Sequence, residues 1–135
     1  MLLALLKGLG VDIVKLDTHS YQFCASDIDI DFIYTDEFRK KATSIRGSVM
    51  LIGPLLTRFG KAYLPKPGGD KIGRRRLDTH FEGFESLGAR FEYLSEESFY
   101  KVYGENMRGC HMHLDEASVT GTANILMAAV LTEGK

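Results

Sequence analysis

Cysteine is scarce in this chain, charge of neither sign dominates, and no apolar run is long. Cys24 and Cys110 are the only two cysteines, and no CxxC spacing joins them. Each lies in an apolar or strand-like stretch, so the expectation is two buried thiols in a reducing compartment rather than a disulfide framework. The formal net charge of −1 argues against a broad nucleic-acid-binding face, which would be basic. The apolar start, "MLLALL", is too short for a signal peptide; nothing basic precedes it and no small-residue cleavage site follows. Other apolar runs are too short to cross a bilayer, so the reading is a soluble, cytoplasmic protein without a membrane partner. His111 and His113 would share one face of a strand, but no third ligand accompanies them, and no metal centre is expected.

What is present is 44% apolar and 26% charged over 135 residues, enough to bury a core. The chain also repeats itself. "LKGLGVDIVKLDTHSYQFC" from Leu6 aligns with "FESLGARFEYLSEESFYKV" from Phe84, placing Leu9-Gly10 on Leu87-Gly88. Ile13 falls on Phe91, Leu16 on Leu94 and Tyr21 on Phe99. Both copies read as the end of a helix, a glycine stop and two strands about a polar turn. "GSVMLIGPLLTRFGK" from Gly47 then pairs with "TANILMAAVLTEGK" from Thr122, with the length difference assigned to a loop at 34–41.

Each unit is therefore expected to be helix, two strands, a third short strand (28–33; 110–114) and an apolar helix. The apolar helices (Val49 to Leu56; Ile125 to Leu131) have no polar stripe and are expected to be enclosed on all sides. Pro54 should kink the first or start a fresh turn. "RRLDTHFEGFESLG" is expected to be a surface helix with Leu77, Phe81, Phe84 and Leu87 inward, and "KAYLP" an alternating strand. The organisation inferred is 1–60, the end of one repeat unit plus the enclosed helix of the next part, and 61–135, a second unit bearing a glycine loop and cut before its last strand. The chain thus reads as a fragment of one domain, with self-association through unpaired edges as an expectation.

The stretch "LPKPGGDKIGRRRLDTH", 64–80, concentrates chemistry. A Pro-Gly-Gly turn presents Asp70, and Lys71, Arg74, Arg75 and Arg76 follow at the start of a helix. Arginines there oppose the helix dipole, which suggests an anionic ligand, although a solvated basic turn reads equally well on spacing alone. Arg46 precedes one apolar helix. Ser118 and Thr120 precede the other, as caps or as phosphate ligands.

"RGSVMLIGPLLTRFGKAYLPKPGGDKIGRRRLDTH" resembles the signature region of the bacterial UDP-N-acetylglucosamine enolpyruvyl transferase family, densely over 46–80 and more weakly elsewhere, including "ASVTGTANILMAAVLTEG". The resemblance implies α/β units repeated into an inside-out α/β barrel, of which this chain would be about a third. It implies transfer of enolpyruvate from phosphoenolpyruvate to the 3′-hydroxyl of UDP-N-acetylglucosamine, with no cofactor. By the same resemblance Asp70, at a position usually cysteine, is the general acid, and Arg46 and Arg75 hold phosphoenolpyruvate anions. Arg75, Arg76, Leu77, Asp78 and Thr79 line the uridine nucleotide, while Ser118, Val119 and Thr120 meet the diphosphate. Three positions depart from the family pattern: Asp70 for cysteine, Arg76 for proline, and Glu116 for lysine. The family's N-terminal Lys-Asn pair, second-domain aspartate and a further phosphate-binding arginine have no counterpart, so the chain alone is expected to be inactive. The alternatives are a shikimate-pathway enolpyruvyl transferase and a non-catalytic nucleotide-sugar module.

Overall fold

The computed structural model describes residues 1–66 and 78–135. Helix α1 (Leu2–Gly8) is followed by strands β1 (Asp12–Lys15) and β2 (Tyr21–Cys24), antiparallel with Ile13 opposite Phe23. Asp17 closes the hairpin turn by accepting the His19 and Ser20 N–H groups at 2.7 and 2.8 Å. A 3-10 turn (Ile30–Tyr34) leads to α2 (Asp36–Thr43). Thr35 caps α2 by accepting the Phe38 N–H at 3.1 Å, and acids in the first turn with lysines in the last match the helix dipole.

A second 3-10 turn (Arg46–Leu51) runs into α3 (Ile52–Phe59), which Gly60 ends at φ 67°. Pro54 lies in the first turn of α3, where a missing N–H costs nothing, so the fresh turn expected there is present. Strand β3 (Lys61–Pro65), α4 (Asp78–Ser86), β4 (Arg90–Leu94), β5 (Phe99–Tyr103) and α5 (Val119–Ala129) complete the described elements. The three strands form an antiparallel sheet in the order β3-β5-β4.

One apolar core joins α1, α2, α3, α4 and this sheet. Leu5, Phe38, Phe84 and Val102 are fully buried, with Leu56, Leu64 and Phe99 nearly so. Tyr63 stacks on Phe99 with centroids 4.4 Å apart, and its hydroxyl donates to Glu97 at 2.7 Å. Arg39 reaches the same carboxylate at 3.2 Å while lying over the Phe99 ring. Burial and the neighbouring Glu97 push the Tyr63 hydroxyl above its usual pKa, keeping it protonated and donating.

The duplication is visible in three dimensions. Gly10 and Gly88 both follow a helix, at φ 90° and 96°, and both lead into an antiparallel strand pair. The copies then differ from expectation. Residues 28–33 form no strand: Asp29 accepts the Asp31 N–H at 3.1 Å and folds the segment into the 3-10 turn. Residues 34–41 are not a loop, because most of them belong to α2. Nor do residues 110–114 form a strand: Gly109 N–H bonds Glu133 O at 2.7 Å and Cys110 Sγ donates to Ser86 O, tying the segment to the chain's end and to α4.

Three burial expectations are also corrected. Cys24 and Cys110 are both exposed, Cys24 because β1 and β2 form a two-stranded ribbon with no third strand over it among the described residues. Strand β3 is buried from Ala62 to Pro65 rather than alternating, since it is packed on both faces. Helix α4 is the expected surface helix, with Phe84 and Leu87 buried and Glu82, Glu85 and Ser86 exposed, and its buried side is widened by α5, which packs against Thr79, His80 and Gly83. Helix α3 is largely enclosed, but α5 leaves Leu126 61% and Val130 78% exposed.

Candidate active site

The site grows from the crossing of α3 and α5. Asn124 is the one strongly polar residue in the apolar stretch of α5, and it is fully buried. Its Oδ1 accepts the Gly53 N–H at 3.0 Å, and its Nδ2 donates to Val49 O at 2.8 Å. Gly53 is required here: a Cβ would run into the Asn124 backbone oxygen. The two helices therefore meet at backbone distance, which brings the start of α5 beside the 3-10 turn that begins at Arg46.

Between them opens a cleft of about 550 Å³, lined by Arg46, Gly47, Val49, Met50, His80 and the run from Glu116 to Thr120. Its floor is the N-terminus of α5. Ser118 caps that helix, its Oγ accepting the Gly121 N–H at 3.1 Å, so the capping role is present. The first-turn amides of Val119 and Thr120 have no intrahelical acceptor and add partial positive charge at the mouth. Arg46 lines the same cleft and brings a full charge to it. A cationic side chain and a helix N-terminus on one cleft suit an anionic ligand.

His80 is 3% exposed. Its Nδ1 is 3.2 Å from Asn124 Nδ2 and its Nε2 is 3.4 Å from Thr120 Oγ1. Burial first, and then the positive charge of Arg46, hold its pKa below the ordinary histidine value. Thr79 is buried behind the cleft, its hydroxyl shared between Asp115 Oδ1 at 3.3 Å and Glu116 Oε1 at 3.2 Å. That contact holds the Glu116 carboxylate.

Of the residues singled out in the sequence, the structure gathers Arg46, Ser118, Val119 and Thr120 on one cleft. Asp78 and Thr79 open α4, with Thr79 engaged by the two acids rather than lining the cleft. Asp70, Arg75, Arg76 and Leu77 lie outside the described residues. Sequence reasoning missed His80 and Asn124. The signal for Asn124 was an amide alone in an apolar helix, which must find buried partners. The signal for His80 was its place at the end of the Asp-x-His segment.

Comparison with known proteins places the chain. The family model described as EPSP synthase (3-phosphoshikimate 1-carboxyvinyltransferase) matches residues 1–135. The chain belongs to that family. Among its relatives, the UDP-N-acetylglucosamine 1-carboxyvinyltransferase of Bacteroides fragilis is 56% identical over 134 residues, covering 99% of this chain and 31% of the relative. The protein of the same name from Porphyromonas gingivalis is 50% identical over 98% of this chain and 31% of its own length. That from Treponema denticola is 44% identical over 99% and 30%. The chain thus spans about a third of the length of the curated relatives it matches. The mixed α/β architecture with small sheets is consistent with this family. No helix among the described residues is long and apolar enough to cross a membrane.

Proposed function

We propose that this chain carries part of the substrate site of an enzyme that transfers enolpyruvate from phosphoenolpyruvate to the 3′-hydroxyl of UDP-N-acetylglucosamine. The observation that carries this reading is the convergence of Arg46 with Ser118, Val119 and Thr120 on one cleft. These positions are far apart in sequence, and the resemblance assigns them to the anions of both substrates. The names of the relatives support the same acceptor. In this reading the chain is part of an inside-out α/β barrel, with 1–60 and 61–135 contributing to successive repeat units. The enzyme works in the cytoplasm at the entry to peptidoglycan synthesis, and so in cell-wall biogenesis, cell shape and division.

The chemistry divides among this chain's residues. Arg46 and Arg75 bind the carboxylate and phosphate of phosphoenolpyruvate, holding the reacting carbon near the acceptor hydroxyl. The α5 N-terminus, with the Ser118 and Thr120 hydroxyls, holds the diphosphate. Asp70 delivers a proton to the enolpyruvyl methylene as the 3′-oxygen bonds to the neighbouring carbon and gives up its own proton to a base; a proton then leaves the resulting methyl group as the carbon–oxygen bond to phosphate breaks, which restores the double bond and releases phosphate. For Asp70 to donate, its pKa must rise from about 4 toward the working pH. Bound phosphate and carboxylate anions would favour that acid form.

The test is a graft. This segment replaces the corresponding segment of the Bacteroides fragilis relative, and phosphate release is measured with each substrate omitted in turn. Release that needs both phosphoenolpyruvate and UDP-N-acetylglucosamine is expected. The Arg46→Ala graft should lose about 10- to 100-fold in kcat/KM, the worth of a charge-assisted hydrogen bond. The name of the family model favours a second reading, in which 3-phosphoshikimate is the acceptor. A graft that accepts it in place of the nucleotide sugar would establish that reading, and a graft inert with both acceptors would reject both.

A further inference from the structure

The hydrogen-bond polarity around His80 can be assigned from backbone groups alone. Gly53 N–H can only donate, so the Asn124 atom facing it at 3.0 Å is the carbonyl oxygen. Val49 C=O can only accept, so the atom facing it at 2.8 Å is the amide nitrogen. That nitrogen has a second proton, and its remaining neighbour is His80 Nδ1 at 3.2 Å. Nδ1 must therefore present its lone pair, and the ring proton sits on Nε2. A doubly protonated ring would set an N–H against the Asn124 NH2 group and a second positive charge beside Arg46. Nε2 faces Thr120 Oγ1 at 3.4 Å, the long end of the hydrogen-bond range. With its oxygen accepting from the ring, the Thr120 hydroxyl has its own proton to place elsewhere. Thr120 is exposed and lines the cleft together with Arg46.

We propose that His80 is a positioning residue of the cleft: fixed as the Nε2–H tautomer by Asn124, it donates to Thr120 Oγ1 and commits the Thr120 hydroxyl proton to an anionic oxygen of the bound ligand. This deepens the proposed function and rests on it in one respect, that the anionic oxygen belongs to a nucleotide diphosphate. The chain Gly53–Asn124–His80–Thr120 runs from buried backbone to ligand. It converts the closeness of α3 and α5 into a fixed donor at the mouth of the cleft. A hydroxyl is otherwise free to rotate and to serve as donor or acceptor; this arrangement removes that choice before the ligand arrives.

Two measurements on the full chain test it. Nitrogen-15 spectra of the histidine rings at pH 7 should show His80 as a neutral ring protonated at Nε2. A ring protonated at Nδ1, or at both nitrogens, overturns the proposal. Uridine diphosphate is then titrated calorimetrically into the chain and into the graft, each as the parent, T120V and T120S. T120V keeps the shape and loses the donor, so its Kd should rise about 10- to 100-fold, the range for a hydrogen bond to a charged group. T120S should restore binding. Equal affinity of parent and T120V overturns the proposal, as does absence of uridine diphosphate binding to the parent in both forms. The two readings fail separately. An inert graft with the Nε2–H tautomer and a T120V binding loss would reject the reaction and keep the positioning role. An active graft indifferent to T120V would do the reverse.

Discussion

Asn124 Oδ1 accepts the backbone N–H of Gly53 at 3.0 Å, at a crossing where a single methyl group on Gly53 would strike the Asn124 backbone. The contact serves stability and the site together. Asn124→Ala strands the buried Gly53 N–H and Val49 C=O, and should lower the unfolding free energy by about 2–4 kcal/mol. Gly53→Ala should cost about 1–3 kcal/mol by forcing α3 and α5 apart. Because both changes break one contact, the double variant should lose less than the sum of the two. Urea denaturation of the three variants checks this, and strict additivity would show that the amide and the close approach are independent.

His80 gives stability a pH dependence of definite sign. Its folded pKa lies below the ordinary value of 6.5, through burial and then through Arg46. The unfolded chain therefore binds the proton more readily. The contribution of neutral His80 is fully present above about pH 6.5 and is lost as pH falls toward the folded pKa. Unfolding free energy should fall on acidification below pH 6.5, with a slope from this group of at most about 1.4 kcal/mol per pH unit. In His80→Gln that part of the slope should vanish. An unchanged slope in the variant would assign the acid sensitivity to other groups.

How much of this was legible in the sequence follows from how local each feature is. Leu9-Gly10 and Leu87-Gly88 gave away both helix ends and both strand pairs, because a left-handed glycine after a buried leucine is a local stop signal. The third strand expected at 28–33 is missing, because Asp29 competes for the backbone as a cap and curls the segment. Arg46 and Ser118 to Thr120 were readable as candidate anion ligands from their place before apolar helices. That they share a cleft was not, since it depends on α3 and α5 touching at Gly53. His80 and Asn124 were hidden for the same reason: their roles exist only once three elements meet.

The exposed apolar face of α5 predicts association. Leu126 and Val130 are one helical turn apart, 61% and 78% exposed, with Leu131 64% exposed beside them. Strand β4 is also an edge of the sheet among the described residues. Sedimentation at about 10⁻⁵ M, where weak pairing registers, should show self-association that L126K combined with V130E reduces. A monomeric parent at that concentration would remove apolar exposure as a driving force.

Asp70 makes the strongest chemical prediction of the proposed function. The resemblance sets it where family members usually have cysteine, and the role proposed for it is proton donation. In cysteine-bearing members the loop thiolate opens the epoxide of fosfomycin and keeps it as a thioether. A thiolate is a strong nucleophile; a carboxylate is a weaker one, and an ester would be more open to water. The grafted enzyme should therefore turn over yet resist fosfomycin. Asp70→Cys should keep turnover and gain time-dependent inactivation. Asp70→Asn keeps the side chain's size but has no titrating proton, so turnover should fall by about two to four orders of magnitude, the range for a general acid. Mass spectrometry of the drug-treated graft decides the nucleophile question directly. A stoichiometric adduct on Asp70, formed as fast as on the Asp70→Cys protein, would show that the carboxylate does not protect and that proton donation and alkylation are not separated at this position.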